Sequence, residues 1–272
     1  MSILHSIVLG VVQGMSEFLP ISSSGHLILV PWLAGWDDFA GNEGLQKTFD
    51  VALHIGTLAG AVAYFRHDLV RYARAGVVDR RSPDGRIAWL LALSALPAAV
   101  TGALLSDVIE EKTGQIWLIA VMLIAFGLVL AWADRLVGTR KVEGFRIRDA
   151  LVMGVGQALA LQPGVSRSGA TITVGRRLGF ERDAAARLSF LMSLPIIAGA
   201  IAFKGVDVLA EGGIPKDFVA PFAWGIVASG VTGWGAVWAT LRLVRTRSFA
   251  PFVAYRVAAG SGVLGLLASS FR

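Results

Sequence analysis

Gly10-Val-Val-Gln13-Gly-Met-Ser-Glu17-Phe-Leu-Pro20-Ile-Ser22-Ser23-Ser24-Gly25-His26 interrupts apolar sequence with a carboxylate, a proline, a run of serines and an imidazole. A second stretch of the same kind lies 144 residues further on: Gly154-Val-Gly-Gln157-Ala-Leu-Ala-Leu-Gln162-Pro163-Gly164-Val165-Ser166-Arg167-Ser168-Gly169-Ala-Thr171. At that constant offset Gly10, Gln13, Ser22, Ser24 and Gly25 fall on Gly154, Gln157, Ser166, Ser168 and Gly169, with the prolines out of step by one. Polar groups in apolar surroundings need a partner or a purpose. The pair therefore points to a polar site built inside a membrane.

Composition agrees. The chain is 55% hydrophobic and only 16% charged, with a mean hydropathy of +0.65, whereas soluble domains carry about 25% charged residues. There is no cysteine, which excludes disulfides and thiolate chemistry. The 32 glycines suit close helix packing in lipid. A net charge of +6 would fit a nucleic-acid binder. The cations, however, sit in short segments between apolar runs, which is the pattern of membrane orientation, so nucleic acid is rejected as a partner. No Lys or Arg precedes Lys47, so residues 1–30 lack the positive start of a cleaved secretory signal.

Crossing a hydrocarbon core of about 30 Å takes about 17–25 helical residues. Six segments qualify: 49–65, 87–105, 116–133, 188–203 (with Pro195 inside it), 218–241 and 252–271. The serine-rich regions, 3–34 and 149–180, read instead as helix, irregular loop, helix. Irregular backbone at membrane depth survives only buried in protein or lining a wet cavity, so both are expected to be re-entrant hairpins. With six spans and two hairpins, 18 of the 25 cations fall on one side. They are Arg66, Arg71, Arg74, Arg80, Arg81 and Arg86; Arg135, Arg140, Lys141, Arg146 and Arg148; Arg176, Arg177, Arg182 and Arg187; and Arg242, Arg245 and Arg247. The other side keeps Lys47, Lys112, Lys204, Lys216 and Arg272, mixed with Asp37, Asp38, Glu110, Glu111 and Glu211. The cation-rich side is expected to be cytoplasmic, with both termini outside.

Residues 1–140 and 145–272 then each hold one hairpin and three spans. Three is odd, so the second half is inverted relative to the first. Ala59-Gly60-Ala61 against Ala198-Gly199-Ala200, and Val100-Thr101-Gly102 against Val231-Thr232-Gly233, add weaker matches. The expected fold is a single all-α integral membrane domain over 1–272, an inverted repeat with its binding site where the hairpin tips meet near mid-membrane.

Gln13 and Glu17 are one helical turn apart and share a face. Glu17, Ser22, Ser23, Ser24 and His26 lie within ten residues. The second tip offers Ser166, Arg167, Ser168 and Thr171. The forked donors of Arg match phosphate oxygens, and Gly/Ser turns that open a helix cradle anions. No other strong acid lies in either tip, so Arg167 and Glu17 are either partners or share a ligand. A phosphate-bearing ligand would use all of these groups. Glu17 can hold a divalent metal bridged to phosphate, a serine or a water can attack, and His26 can move the proton. Spacing alone leaves these variants open.

Gln13-x-x-x-Glu17 and Pro163-Gly164-Val165-Ser166-Arg167-Ser168 resemble the [Glu/Gln]-x-x-x-Glu and Pro-Gly-x-Ser-Arg-Ser motifs of the undecaprenyl-diphosphatase family, also called the bacitracin-resistance family. The similarity runs over essentially the whole chain. It implies an integral membrane hydrolase that converts undecaprenyl diphosphate to the monophosphate and inorganic phosphate at the outer face of the bacterial inner membrane. That activity recycles the carrier lipid for peptidoglycan synthesis and depends on a divalent cation (Mg²⁺ or Ca²⁺). By position, Glu17 would assist metal or water, Ser23 would be the nucleophile, His26 would act in acid–base or phosphate contact, and Arg167 would clamp the diphosphate. Gln13, Ser22, Ser24, Ser166, Ser168 and Thr171 would contact the phosphates. The family's motif admits Glu or Gln at the position of Gln13, so here Glu17 is the sole carboxylate. The alternative is a lipid-phosphate transporter or flippase using the same architecture. Both readings are compatible with a homodimer in the bilayer.

Overall fold

The computed structural model describes residues 1–210 and 213–269, without the side chains of 106–113, 207, 209 and 210. The side chains of Glu110, Glu111 and Lys112, together with Glu211, Arg272 and the last residues of the 252–271 span, all assigned above, therefore lie outside what the structure describes. The fold is all-helical. The helices are α1 (Ile3–Phe18), α2 (Ser23–Ala34), α3 (Glu43–Val78), α4 (Pro83–Thr113), α5 (Ile116–Asp134), α6 (Ile147–Leu159), α7 (Arg167–Arg177), α8 (Arg182–Ala210), α9 (Lys216–Val244) and α10 (Ala250–Ala268), with a short 3₁₀ turn at Val142–Gly144.

Among the described residues six helical segments are long and apolar enough to cross a membrane: Glu43–Val78, Pro83–Leu105, Ile116–Asp134, Arg182–Val206, Lys216–Val244 and Ala250–Ala268. These are the six expected from hydropathy, and the chain is a multi-pass membrane protein. Pro195 sits inside α8 without ending it. Large apolar side chains such as Trp89, Leu104, Phe203, Val231 and Trp238 point outward, as a lipid-facing surface requires. The serine-rich regions are helix–loop–helix, α1 with α2 and α6 with α7.

Caps set the ends. Ser2 accepts from His5 N at the start of α1. Leu19, held extended by Pro20, has ψ 140° and stops that helix. Gly35, in the left-handed region at φ 70°, closes α2. Asn42 Oδ1 accepts from Leu45 N to open α3, and Ser82 followed by Pro83 opens α4.

One expectation needs correction. The cation-rich stretch 66–86 reads as a loop, but α3 runs on to Val78 and α4 restarts at Pro83. Charge marks where a helix leaves hydrocarbon, not where it ends. Several of these cations also tie helix ends together. Arg140 chelates Asp149 and bonds the carbonyls of Gly144 and Leu178. Arg182 pairs with Asp134, which also caps Phe249 N at 3.0 Å. Arg187 pairs with Asp68.

The carboxylate-bearing α1 is seated on α9, and α9 also packs along α3. The contact surface is glycine. A Cβ at Gly14 would overlap Thr232 Oγ1 and the Ser229 carbonyl, and one at Gly56 would overlap Ser229 Oγ and the Ile226 carbonyl. Small residues allow backbones this close in lipid. The close approach lets Ser229 Oγ donate to Leu53 O at 2.8 Å, between α9 and α3. Gly14→Ala is therefore expected to cost about 1–3 kcal/mol through overpacking and to lower the thermal unfolding midpoint in detergent. Gly235→Ala, where an added Cβ meets nothing within 4 Å, should leave the midpoint unchanged or raise it.

Candidate active site

Both loops turn into their second helix through a serine in the left-handed region: Ser22 at φ 79° and Ser166 at φ 73°. For a residue with a side chain this costs on the order of 1–3 kcal/mol. Each serine offsets it by capping the helix it opens. Ser22 Oγ accepts from Gly25 N (3.4 Å) and, across the tips, from Gly164 N (3.1 Å). Ser166 Oγ accepts from Gly169 N at 3.1 Å. In return, Ser168 Oγ donates to Leu19 O at 3.1 Å.

The tips are then clasped by a residue that lies outside both motifs. Arg256 of α10 is fully buried. Its guanidinium donates to Pro20 O (3.1 Å) in one tip, to Gly164 O (2.8 Å) and Val165 O (3.1 Å) in the other, and to Leu123 O (3.0 Å) and Met122 O (3.3 Å) of α5. All its partners are carbonyls, so its charge is spent on holding irregular backbone rather than on an acid.

At the clasped tips Glu17, only 5% exposed, gathers the chemistry. Its Oε1 accepts from Arg167 Nη2 at 2.6 Å. Its Oε2 accepts from Ser23 Oγ at 2.5 Å and from Gln13 Nε2 at 3.0 Å. Two buried polar atoms of these partners are left over: Arg167 Nη1 and Gln13 Oε1 have no hydrogen-bond partner among the described residues. Buried polar atoms are nearly always paired. Here one unpaired donor belongs to a cation, and one unpaired acceptor belongs to an amide whose nitrogen already serves the carboxylate.

The remaining expected residues divide. Ser24 is exposed. Thr171 is fully buried; its hydroxyl bonds Arg167 O (2.8 Å) and Ser189 Oγ (2.6 Å), which fixes the turn carrying Arg167. Ser22, Ser166 and Ser168 hold the loops as described. His26 looks elsewhere. Its Nδ1 lies 2.6 Å from Ser22 O, and its Nε2 lies 2.7 Å from the Tyr255 hydroxyl. Among the described residues no hydrogen bond or ion pair joins it to Glu17, Ser23 or Arg167. A different imidazole is close: His54 Nε2 of α3 lies 3.6 Å from Glu17 Oε2. Both His54 and Arg256 fall inside expected membrane spans, where an ionisable residue is a site candidate by default. That rule, applied to 49–65 and 252–271 as well as to the hairpins, finds them.

The oxygen donors suit a hard divalent cation. Mg²⁺ is commonly held by one or two carboxylates with substrate phosphate supplying further ligands; Glu17 is such a carboxylate, and Gln13, whose Nε2 faces it, would add its amide oxygen with the amide turned over.

Six apolar spans, two clasped helix–loop–helix tips and an anion-ready guanidinium beside a buried carboxylate define a polytopic membrane protein with a polar site for a charged, lipid-borne group. The chain belongs to the family described as bacitracin resistance protein BacA, whose model matches residues 6–262. It is 49% identical to a protein of Pelobacter propionicus named undecaprenyl-diphosphatase, over 98% of both chains. A protein of Geobacter sulfurreducens with the same name is 48% identical over 98% of this chain and 99% of its own. One from a Nocardioides species is 42% identical over 98% and 97%.

Replacing Arg256 by Met should leave the loop carbonyls without donors and cost about 3–5 kcal/mol. The expected readout is a large fall in thermal midpoint, only partly recovered by Lys, whose point charge cannot fork across five carbonyls.

Proposed function

We propose that this protein hydrolyses undecaprenyl diphosphate to undecaprenyl phosphate and inorganic phosphate at the outer face of the bacterial inner membrane, recycling the carrier lipid for peptidoglycan synthesis. The observation that carries the reading is the Ser23–Glu17–Arg167 constellation with the open Nη1 of Arg167. A hydroxyl is already bonded to a carboxylate that can take its proton, and a free guanidinium N–H stands ready for a phosphate oxygen.

The residues then act as follows. Arg167 binds the terminal phosphoryl group through Nη1 and offsets charge on its equatorial oxygens, as phosphoryl transfer requires. Ser23 Oγ attacks the terminal phosphorus while Glu17 Oε2 takes its proton. The bridging P–O bond breaks, and undecaprenyl phosphate leaves. Water attacks the phosphoserine, the P–Oγ bond breaks, Oγ regains its proton through Glu17, and inorganic phosphate departs. Glu17 and Gln13 Oε1 would hold the divalent cation, which neutralises diphosphate charge when bound. Ser22, Ser166, Ser168 and Thr171 keep the tips in shape for this chemistry. Ser24, exposed next to Ser23, would meet the phosphates, and His26, bonded to Ser22 O, would orient the start of α2.

The same reading takes α1–α2 and α6–α7 as re-entrant hairpins of an inverted repeat spanning 1–140 and 145–272. Symmetry of contact supports it. Gly10 abuts Gly225 O and Ala228 Cβ, and Gly154 abuts Ser94 O and Pro97. In the register that matches Val100-Thr101-Gly102 with Val231-Thr232-Gly233, Ser94 and Pro97 fall on Gly225 and Ala228. Thr101 Oγ1 bonds Pro97 O at 2.8 Å, and Thr232 Oγ1 bonds Ala228 O at 2.7 Å. Each hairpin's first helix thus packs on the middle span of the opposite half.

Purified protein supplied with a polyprenyl diphosphate and Mg²⁺ or Ca²⁺ should release inorganic phosphate. Glu17→Ala and Arg167→Ala should each lower kcat/KM by at least about 10³-fold, an electrostatic loss of about 4 kcal/mol, with the fold intact by thermal midpoint. Ser23→Ala with a near-normal rate would replace the serine mechanism by direct water attack. Because the chain has no cysteine, topology is testable with single introduced thiols. Asn42→Cys should be modified by a membrane-impermeant maleimide added to the outside of cells, and Arg80→Cys should be protected. The reverse pattern would overturn the orientation.

A further inference from the structure

Two histidines lie near the clasped tips, and their ring nitrogens are used differently. Each Nδ1 faces a backbone carbonyl: Ser22 O at 2.6 Å for His26, and Asp50 O at 2.7 Å for His54. A carbonyl only accepts, so in both neutral rings Nδ1 carries the hydrogen and Nε2 carries the lone pair. The lone pair of His26 is already taken by the Tyr255 hydroxyl at 2.7 Å. That of His54 is open and lies 3.6 Å from the carboxylate oxygen Oε2 of Glu17.

This separation is too long for a hydrogen bond, yet it joins two groups that both offer electron pairs. Two ligands each about 2.1 Å from one ion lie about 3.0–3.4 Å apart in octahedral or tetrahedral geometry. A small adjustment of the His54 ring, which is 31% exposed, brings the pair to that spacing. Donation from Nδ1 to a main-chain carbonyl is also the usual outer support of a metal-bound imidazole. The third donor is the amide oxygen of Gln13, on a side chain that is fully buried: its Nε2 donates to Glu17 Oε2 at 3.0 Å, its Oε1 has no partner among the described residues, and turning the amide over brings that oxygen to the carboxylate. Glu at position 13 would supply charge. Gln supplies a neutral oxygen, and the nitrogen of His54 makes the donor set mixed. Among the described residues no three His, Cys, Asp or Glu side chains converge, so the shell must be finished by water or phosphate oxygens.

The geometry points to His54 Nε2, the Glu17 carboxylate and Gln13 Oε1 as the protein ligands of a divalent-cation site whose imidazole biases it toward Mn²⁺ and similar borderline ions over Mg²⁺ and Ca²⁺. Imidazole suits transition ions, whereas Ca²⁺ and Mg²⁺ take oxygen ligands. The inference rests on the phosphatase reading for the purpose of the ion, but its test does not need turnover.

The probe is Mn²⁺ alone, added to tag-free full-length protein in detergent. Binding is measured by loss of the free-ion resonance, and ligation by pulsed electron paramagnetic resonance. The expected result is one bound Mn²⁺ with ¹⁴N coupling from a single directly coordinated imidazole. His54→Gln should abolish that coupling and weaken Mn²⁺ at least tenfold while changing Ca²⁺ affinity less than threefold. Gln13→Met should weaken both ions. Bound Mn²⁺ without ¹⁴N coupling in the wild type, or with coupling that survives in His54→Gln, overturns the assignment; so does failure to bind Mn²⁺. The wild-type spectrum decides even if a variant fails to fold. Protein that shows the coupling yet releases no phosphate from a polyprenyl diphosphate would refute the phosphatase reading and leave the metal site standing. Active protein without the coupling would do the opposite.

Discussion

A broken helix in the interior of a membrane protein strands carbonyl oxygens that lipid cannot solvate. The rest of this structure depends on how they are satisfied. One fully buried guanidinium, that of Arg256, donates to Pro20 O in the first tip, Gly164 O and Val165 O in the second, and two carbonyls of α5. Lys could not do this, because its donors radiate from a point, whereas a planar fork can address several acceptors. The serine caps and the exchanged tip contacts, Ser22 with Gly164 and Ser168 with Leu19, complete the accounting. Only with the tips locked are Glu17 and Arg167, 150 residues apart in sequence, held at ion-pair distance.

Within that frame the site divides its labour asymmetrically. Matching positions of the two stretches, Ser22 with Ser166 and Gly25 with Gly169, perform the same backbone task in both loops. The differences carry the chemistry: Glu17 and Ser23 come from one tip and Arg167 from the other. Gln13 and Gln157 show how far the halves have diverged. Gln13 bonds Glu17, while both amide atoms of Gln157 are buried without a partner among the described residues. Leu161 stands where the offset would place a second Glu17.

Much of this was legible in the sequence, for identifiable reasons. Apolar length located the six spans, and prolines with serines located the breaks, because these signals are local. That Glu17 and Arg167 are either partners or share a ligand was legible because no other strong acid lies in either tip, and the structure shows them paired. What escaped is what depends on rotation about a helix axis and on distant packing. His26 shares a tip with Glu17, yet its place on α2 turns it toward Tyr255. His54 and Arg256 sit in apolar helices whose hydropathy conceals them, and only the packing of α3 and α10 against the tips shows what they face. The continuation of α3 to Val78 escaped because hydropathy reports the edge of the bilayer and is silent on hydrogen bonding beyond it.

The position of the clasp has a consequence for biogenesis. Glu17, Ser23 and Arg167 are all translated before Arg256, the group that joins their loops. Until α10 is in place the two tips carry exposed carbonyls and two unconnected halves of a site. The nascent protein thus holds a carboxylate, a hydroxyl and a guanidinium suited to phosphate esters before it holds the donor that clasps their loops. Locking of the site thus waits for α10, a helix made well after the residues whose loops it clasps.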